Sequence, residues 1–221
     1  MQIRTLFISL FFIAAVNVFA QAANEQFLAA DQALMIMPTA YTMPKGSSSF
    51  TDYELFLIQY SYAMTSRTHI SAGMVFPMAA DLLKTFTAGI KQNYYTEEML
   101  QSALWVSYNP YVEGGMFGNV VSLGDKKASL HAAAAWVFST DKISKDYAVM
   151  VGGIASLSPR TSFITEVLST SQIIDEEGNG IISFGFRFKG EKSSWDIGGG
   201  RLLRGNSGLL FLPILKATVM F

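Results

Sequence analysis

Apolar residues alternate with small and polar residues along much of this chain. The clearest case is residues 182–189, where one face of an extended chain carries Ile182, Phe184, Phe186 and Phe188, and the other carries Ser183, Gly185, Arg187 and Lys189. The same period of two recurs at residues 68–76 and 128–138, and helical periodicity is weak everywhere. Because successive side chains of a β-strand point to opposite faces, the pattern predicts β-strands.

Turn-forming residues separate these runs at the spacing that an antiparallel meander needs. They stand at residues 44–46, 65–67, 124–126, 139–145, 158–160, 175–180, 189–191 and 204–208. The runs between them number roughly ten to twelve, and we predict twelve strands. No linker or low-complexity segment divides residues 21–221, so we predict one domain.

The N-terminus is organised like a secretory signal peptide. Arg4 supplies the positive region, residues 6–16 form the apolar region, and Val18 and Ala20 are the small residues before the expected cleavage site. The apolar region is shorter than the ~20 residues of a membrane-spanning helix, so an uncleaved anchor is the less favoured alternative. We predict that residues 1–20 are removed on export.

The composition is more apolar than a surface in water requires. Of 221 residues, 50% are hydrophobic and 15% charged, whereas soluble domains carry about 25% charged residues. After the signal, the longest apolar runs, at residues 132–138 and 209–215, are too short for membrane helices. A closed barrel also satisfies every backbone group in lipid, and alternating hydrophobicity is its signature. We therefore predict an all-β fold, an antiparallel up-and-down transmembrane β-barrel in the outer membrane of a Gram-negative bacterium.

The alternation assigns side chains to the two faces of this barrel. Residues expected to face lipid are Ile70, Met74, Phe76, Phe184, Phe186 and Phe188. Residues expected to point into the polar lumen are His69, Lys91, Glu166, Arg187 and Asp196. These lumen residues would either pair with one another across the lumen and serve a structural role, which we favour, or line a permeation path or binding site for a solute. Candidates for aromatic girdles at the membrane interfaces are Tyr41, Tyr53, Tyr60, Tyr62, Tyr94, Tyr95, Trp105, Trp136 and Trp195.

The last strand ends on an aromatic residue, as the strands of bacterial outer-membrane barrels do. Phe221 is terminal and Val219 is the apolar residue two positions earlier, whereas Lys216 stands where that pattern usually has Gly. We predict that Val219 and Phe221 form a barrel-assembly signal. The expected partners are the barrel-assembly machinery and outer-membrane lipid.

Several segments resemble a family of uncharacterised outer-membrane β-barrel proteins found mostly in Bacteroidetes-type bacteria. Residues 38–46 (PTAYTMPKG) are similar to its N-terminal box, residues 53–57 to its second-strand core, and residues 122–130 to a hairpin motif. Residues 163–166 are similar to a strand motif in which Val167 replaces the usual Asn. The resemblance implies an outer-membrane barrel and implies no activity.

The sequence carries no catalytic or cofactor-binding motif. It has no Cys, which excludes thiol nucleophiles and Cys-based zinc sites, and its net charge of −1 argues against a nucleic-acid binder. His69 and His131 are expected to form hydrogen bonds inside the barrel rather than to bind a metal or act as bases. The glycine run 198–200 lies in a strand pattern, where it indicates a bend or a close backbone approach. We predict no enzymatic activity, no cofactor and no metal.

Three functions stay open at this point. The first is an integral outer-membrane barrel that acts as a small pore, a transport accessory or a structural protein. The second is a periplasmic calyx-like barrel that binds a lipid or other apolar ligand, with the Phe184, Phe186 and Phe188 face turned inward. The third is a lipid-modifying enzyme, which would need a Ser/His or acid/His pair within hydrogen-bonding reach.

Overall fold

The computed structural model describes residues 29–54, 56–75, 82–125, 127–140, 142–171, 180–202 and 211–221. Over these residues, twelve antiparallel strands form a closed barrel in which every strand pairs with its neighbours in sequence and β1 pairs with β12. The predicted fold class and the strand number are confirmed. Among the described residues, no helix has the length and apolar character needed to cross a membrane. The expected signal peptide and Phe76 lie outside the described residues.

The strands follow the alternating segments of the sequence closely. They are β1 (Ser48–Tyr53), β2 (Leu57–Ala63), β3 (Thr68–Val75), β4 (Thr87–Glu97), β5 (Leu100–Asn109), β6 (Gly114–Gly124), β7 (Ala128–Ser139), β8 (Lys142–Ser158), β9 (Thr161–Thr170), β10 (Ile181–Lys189), β11 (Ser193–Leu202) and β12 (Leu212–Met220). Two one-turn 3₁₀ helices, Ala29–Gln32 and Leu82–Thr85, complete the described elements.

One of the sequence interpretations is wrong at the first turn. Residues 53–57 were expected to form a strand core, but Tyr53 ends β1 and Leu57 begins β2. Glu54 has a φ of 58°, and the amide of Phe56 donates to the carbonyl of Tyr53 at 3.0 Å. The chain therefore reverses here.

The two ends of the barrel differ in the length of their connections. The turns after β2, β4, β6, β8 and β10 are short, and β1 begins and β12 ends at the same rim. We call this rim the short-turn end. The connections from β3 to β4, from β9 to β10 and from β11 to β12 are longer in sequence, and the strands that they join end at the opposite rim, which we call the long-loop end.

The outer surface is apolar and the inner surface is polar, as the alternation predicts. On β10, Phe184, Phe186 and Phe188 are 43%, 43% and 45% exposed, while Arg187 between them is fully buried. Ile70 is also exposed, and Met74 on the same strand is half-buried. A calyx-like barrel would need this phenylalanine face inside, so the structure has the opposite arrangement.

Residues 29–43, which precede β1, fold into the lumen instead of joining the wall. The amide of Leu34 donates to the carbonyl of Met37 at 2.8 Å, and that of Thr39 donates to Gln32 at 2.9 Å. The chain thus makes a tight hairpin whose tip is Met35 and Ile36. We call residues 29–43 the luminal hairpin. It enters from the short-turn end, where Met43 packs against Ala63, and its tip reaches Glu166 at the middle of β9.

Candidate functional site

The luminal hairpin is held by charged side chains from the barrel wall. Four of the five predicted lumen residues, His69, Lys91, Glu166 and Arg187, form hydrogen bonds with it. The fifth, Asp196, binds Arg187. The alternation had placed these groups on the inner face, and the structure adds the hairpin that they hold.

Arg187, Asp196 and Lys216 form a row across three adjacent strands. They are register partners on β10, β11 and β12. Asp196 accepts two hydrogen bonds from Arg187, both at 2.8 Å, and its Oδ2 lies 2.8 Å from Lys216 Nζ. All three side chains are buried, so the wall alone places two cations around one anion.

The luminal hairpin compensates the remaining positive charge of this row. Asp31 Oδ1 lies 3.6 Å from Arg187 Nη1, and Arg187 Nη2 donates to the carbonyls of Ala33 and Leu34. Lys216 Nζ donates to the Leu34 carbonyl as well. Buried charges are tolerated only when they are paired and hydrogen-bonded. The hairpin and this row therefore depend on each other.

Glu166 binds the tip of the hairpin. Its two carboxylate oxygens accept hydrogen bonds from the amides of Ile36 and Met37, at 2.9 and 3.0 Å. Ser183 donates to the same carboxylate at 3.1 Å. Two successive backbone donors on one buried carboxylate fix both the position and the orientation of the tip.

Lys91 and His69 bind the base of the hairpin. Lys91 Nζ donates to three backbone carbonyls, those of Gln32, Thr39 and Tyr41, so its three ammonium hydrogens all have acceptors in the hairpin. His69 Nε2 accepts from the Met43 amide at 2.7 Å, which places the ring proton on Nδ1, 2.7 Å from Gln32 Oε1. His69 thus serves as a neutral hydrogen-bonding group.

His131 lies beneath the hairpin and contacts two serines. Its ring nitrogens are 2.7 Å from Ser122 Oγ and 2.9 Å from Ser129 Oγ, and all three side chains are buried. A Ser/His pair therefore exists, but Ser122 Oγ also accepts the amide of Ala40 in the hairpin. Both ring nitrogens of His131 form hydrogen bonds with serines. His131 therefore orients Ser122, and Ser122 in turn binds the hairpin at Ala40.

Tyr41 joins the hairpin to the turn between β6 and β7 at the short-turn end. Its hydroxyl donates toward the carbonyls of Gly124 and Asp125, 3.2 Å away in each case, and its ring meets that of His131 edge-on. Burial raises the pKa of Tyr41 to about 12. The phenol therefore stays a donor at every physiological pH.

Glycines in the wall give the apolar tip of the hairpin its space. A Cβ at Gly152 would lie 2.5 Å from Leu34 Cδ1, and one at Gly198 would lie 2.6 Å from Met35 Cε. A Cβ at Gly198 would also meet the backbone of β10 at the Phe184 carbonyl and Gly185 Cα, so the expected close backbone approach at the glycine run is made by the neighbouring strand, with Met35 packed there from inside the barrel.

A cavity of about 330 Å³ remains beside the hairpin, mainly along β1 to β5. Ile36, at the hairpin tip, lines this cavity and is 52% exposed. The hairpin therefore narrows the lumen without filling it. Within the described ranges, no group of three or more His, Asp, Glu or Cys side chains is arranged to hold a metal ion.

Sequence reasoning missed several residues of this site. Lys216 was noted only as a departure from the C-terminal pattern, yet it points inward and binds Asp196 and the hairpin. A single cation in an apolar strand is the signal that could have found it. Three girdle candidates were placed wrongly, since Tyr41 lies in the luminal hairpin, and Tyr53 and Trp105 line the cavity.

We expect Glu166→Gln to loosen the tip of the luminal hairpin. The amide replaces one of the two acceptor oxygens and removes the charge, and a hydrogen bond to a charged group contributes about 1.5–3 kcal/mol. Amide hydrogen exchange at Ile36 and Met37 should accelerate roughly ten- to hundredfold. Glu98→Gln, at an exposed turn, should leave these amides unchanged. Equal protection in wild type and Glu166→Gln would show that the carboxylate does not hold the tip.

No protein-family model and no curated protein sequence matches this chain. Among solved structures, it is similar to the KdgM porin, with a TM-score of 0.52, 8% identity, and coverage of 79% of this chain and 98% of the porin. A KdgM porin in complex with disordered oligogalacturonate gives a TM-score of 0.51, 8% identity, and coverage of 79% and 96%. An outer membrane channel from Pseudomonas putida F1 gives 0.48, 13% identity, and coverage of 89% and 100%.

This likeness defines the architecture of the chain. At 8% identity it concerns the fold alone, and that fold is the closed antiparallel barrel of outer-membrane porins. The resemblance to a Bacteroidetes-type family stays a prediction.

Proposed function

We propose that this protein is an integral outer-membrane channel for small solutes, narrowed by its own luminal hairpin. The observation that carries the proposal is a closed twelve-strand barrel with an apolar outer face, a polar lumen, and an open cavity beside the hairpin. A barrel of this strand number is wider than the eight-strand kind that side chains fill.

Three features of the chain support the outer membrane of a Gram-negative bacterium as its location. The phenylalanine face of β10 and the exposed side chains of the neighbouring strands offer an apolar surface to lipid. Residues 1–20 would direct export, and Val219 and Phe221 would be recognised by the barrel-assembly machinery. By analogy with bacterial barrels, whose periplasmic turns are short, the short-turn end and the base of the hairpin would face the periplasm.

The luminal hairpin supports a restricted path rather than a wide pore. It is bound by charged side chains from β4, β9, β10 and β12, so it does not leave the lumen without breaking several hydrogen bonds. A solute would pass through the cavity beside it. A barrel that gives no current at all, either as the full chain or without the hairpin, would instead be a structural or accessory protein.

The membrane assignment is tested by placing a charge on the outer face. In lipid, Phe186→Lys should lower the free energy of unfolding by about 2–4 kcal/mol, because a lysine at mid-membrane is costly there. In a water-soluble barrel the same change at this exposed position would be nearly neutral. Urea unfolding in vesicles measures the effect, and Glu191→Lys, in the exposed turn after β10, is the matched control. A neutral result for Phe186→Lys, or release of the protein from membranes by carbonate, would overturn the assignment.

A further inference from the structure

The cavity beside the luminal hairpin exists because one part of the wall carries very small side chains. Ser61, Ser71, Gly89 and Ser107 are register partners on β2, β3, β4 and β5, and they form a row across the inner surface. A Cβ at Gly89 would lie 2.8 Å from Ser71 Oγ. Glycine at this position keeps the row of hydroxyls open.

The charged groups that line this cavity are already engaged. Lys91 donates to three hairpin carbonyls, and Lys216 binds Asp196 and the Leu34 carbonyl. His69 has both ring nitrogens in hydrogen bonds. A charged solute would find no uncompensated counter-charge among these lining residues, and its own desolvation would oppose binding.

The remaining polar groups of the lining are uncharged. They include the indole of Trp105, the serine hydroxyls of the row and the side-chain amide of Gln59, which donates to Ser61 Oγ at 3.1 Å. Trp105 Nε1 is buried, and the described part of the chain offers it no acceptor. A buried donor without an acceptor is unfavourable, so a ligand oxygen gains a hydrogen bond once a small rotation of the indole turns Nε1 toward the cavity. A purely apolar ligand would leave the indole donor of Trp105 without a hydrogen bond.

We propose that this cavity binds a small uncharged polyhydroxyl solute, of the size of a mono- or disaccharide. Its hydroxyls would face the row Ser61, Ser71 and Ser107, one oxygen would accept from Trp105 Nε1, and its less polar face would lie against the indole. The volume is at the lower end of ligand sites, which begin at about 300 Å³. This proposal rests on the channel function and names the class of solute for its path.

The first test uses Trp105 as a fluorescent probe in detergent-solubilised protein. Trp136 and Trp195 are exposed on the outer face, so the full chain with Trp136→Phe and Trp195→Phe keeps Trp105 as its single tryptophan. Titration with glucose should change the emission of Trp105 saturably. Glucuronate, which has the same ring and one negative charge, should bind at least about tenfold more weakly. No saturable change with glucose or sucrose, or equal binding of glucuronate, would overturn the proposal.

The second test separates the indole donor from the rest of the site by calorimetry with glucose. Trp105→Phe keeps an aromatic ring and removes Nε1, so glucose binding should weaken roughly tenfold. Gly89→Val fills the row and should abolish binding, while Trp136→Phe on the outer face should not change it. Heat-modifiable gel mobility shows whether each variant is folded. If Gly89→Val does not fold, the glucose affinity of Trp105→Phe alone tests the proposed site. Full glucose binding by folded Trp105→Phe would contradict the assignment.

Glucose binding in detergent tests the proposed solute site, and current in a bilayer tests the proposed channel, so either proposal can be contradicted without the other. Glucose binding without current would contradict the channel and keep the site. Current without glucose binding would keep the channel and contradict the polyhydroxyl solute.

Discussion

Deletion of residues 29–40 is expected to raise the single-channel conductance of this protein several-fold in planar bilayers. These residues form most of the luminal hairpin, whose tip and base are bound across the lumen by Glu166 and Lys91. Every strand of the wall pairs with its neighbours without the hairpin. The barrel should therefore stay closed while water and ions replace the removed segment.

Two measurements keep this result interpretable. Heat-modifiable mobility should show a folded barrel for the deletion, and a full-length variant with Lys91→Met and Glu166→Gln should give an intermediate conductance, or frequent openings, because its hairpin is loosened in place. Glu98→Gln should conduct like the wild type. A folded deletion variant with unchanged current would show that the hairpin does not restrict the path.

Asp196→Asn is expected to be the most destabilising single change of charge in the lumen. The substitution preserves the shape of the side chain but leaves Arg187 and Lys216 buried without their shared anion. Removing one partner of a buried ion pair costs about 3–5 kcal/mol. Urea unfolding in vesicles should show this loss of stability, while Glu98→Gln, which neutralises an exposed carboxylate, should stay within about 0.5 kcal/mol of the wild type.

The same substitution in the hairpin deletion tests whether the row and the hairpin act together. Without the hairpin, water reaches Arg187 and Lys216, so the cost of Asp196→Asn should fall well below its value in the full chain. The difference between the two costs is the coupling energy of a double-mutant cycle. Equal costs in both backgrounds would mean that the hairpin does not bury this row.

The two faces of the wall could be predicted from the sequence because strand alternation is a local property. Arg187 between Phe186 and Phe188 has to point away from them in any extended chain, so its inward position needed no knowledge of the other strands. His69, Lys91, Glu166 and Asp196 were assigned in the same way, and all of them lie on the inner side. The turn signals likewise led to twelve strands.

The luminal hairpin could not be predicted in this way. Its sequence has no period of two, and its contacts join residues far apart in the chain, such as Ile36 with Glu166 and Leu34 with Lys216. Residues 38–46 resemble the N-terminal box of a family of barrels, and that resemblance does not indicate that the first part of this run is the returning limb of the hairpin.

By itself, the sequence determined that this chain forms strands with one apolar and one polar face, and that charged residues such as Lys91, Glu166 and Arg187 lie on the polar face. Only the closed tertiary structure decided what those charges bind, because closure brings β4, β9, β10 and β12 around one enclosed space. Side chains in that space must find partners within it, and residues 29–43 of the luminal hairpin supply them. Local alternation sets the direction in which each side chain points, and the folded barrel sets what it meets there.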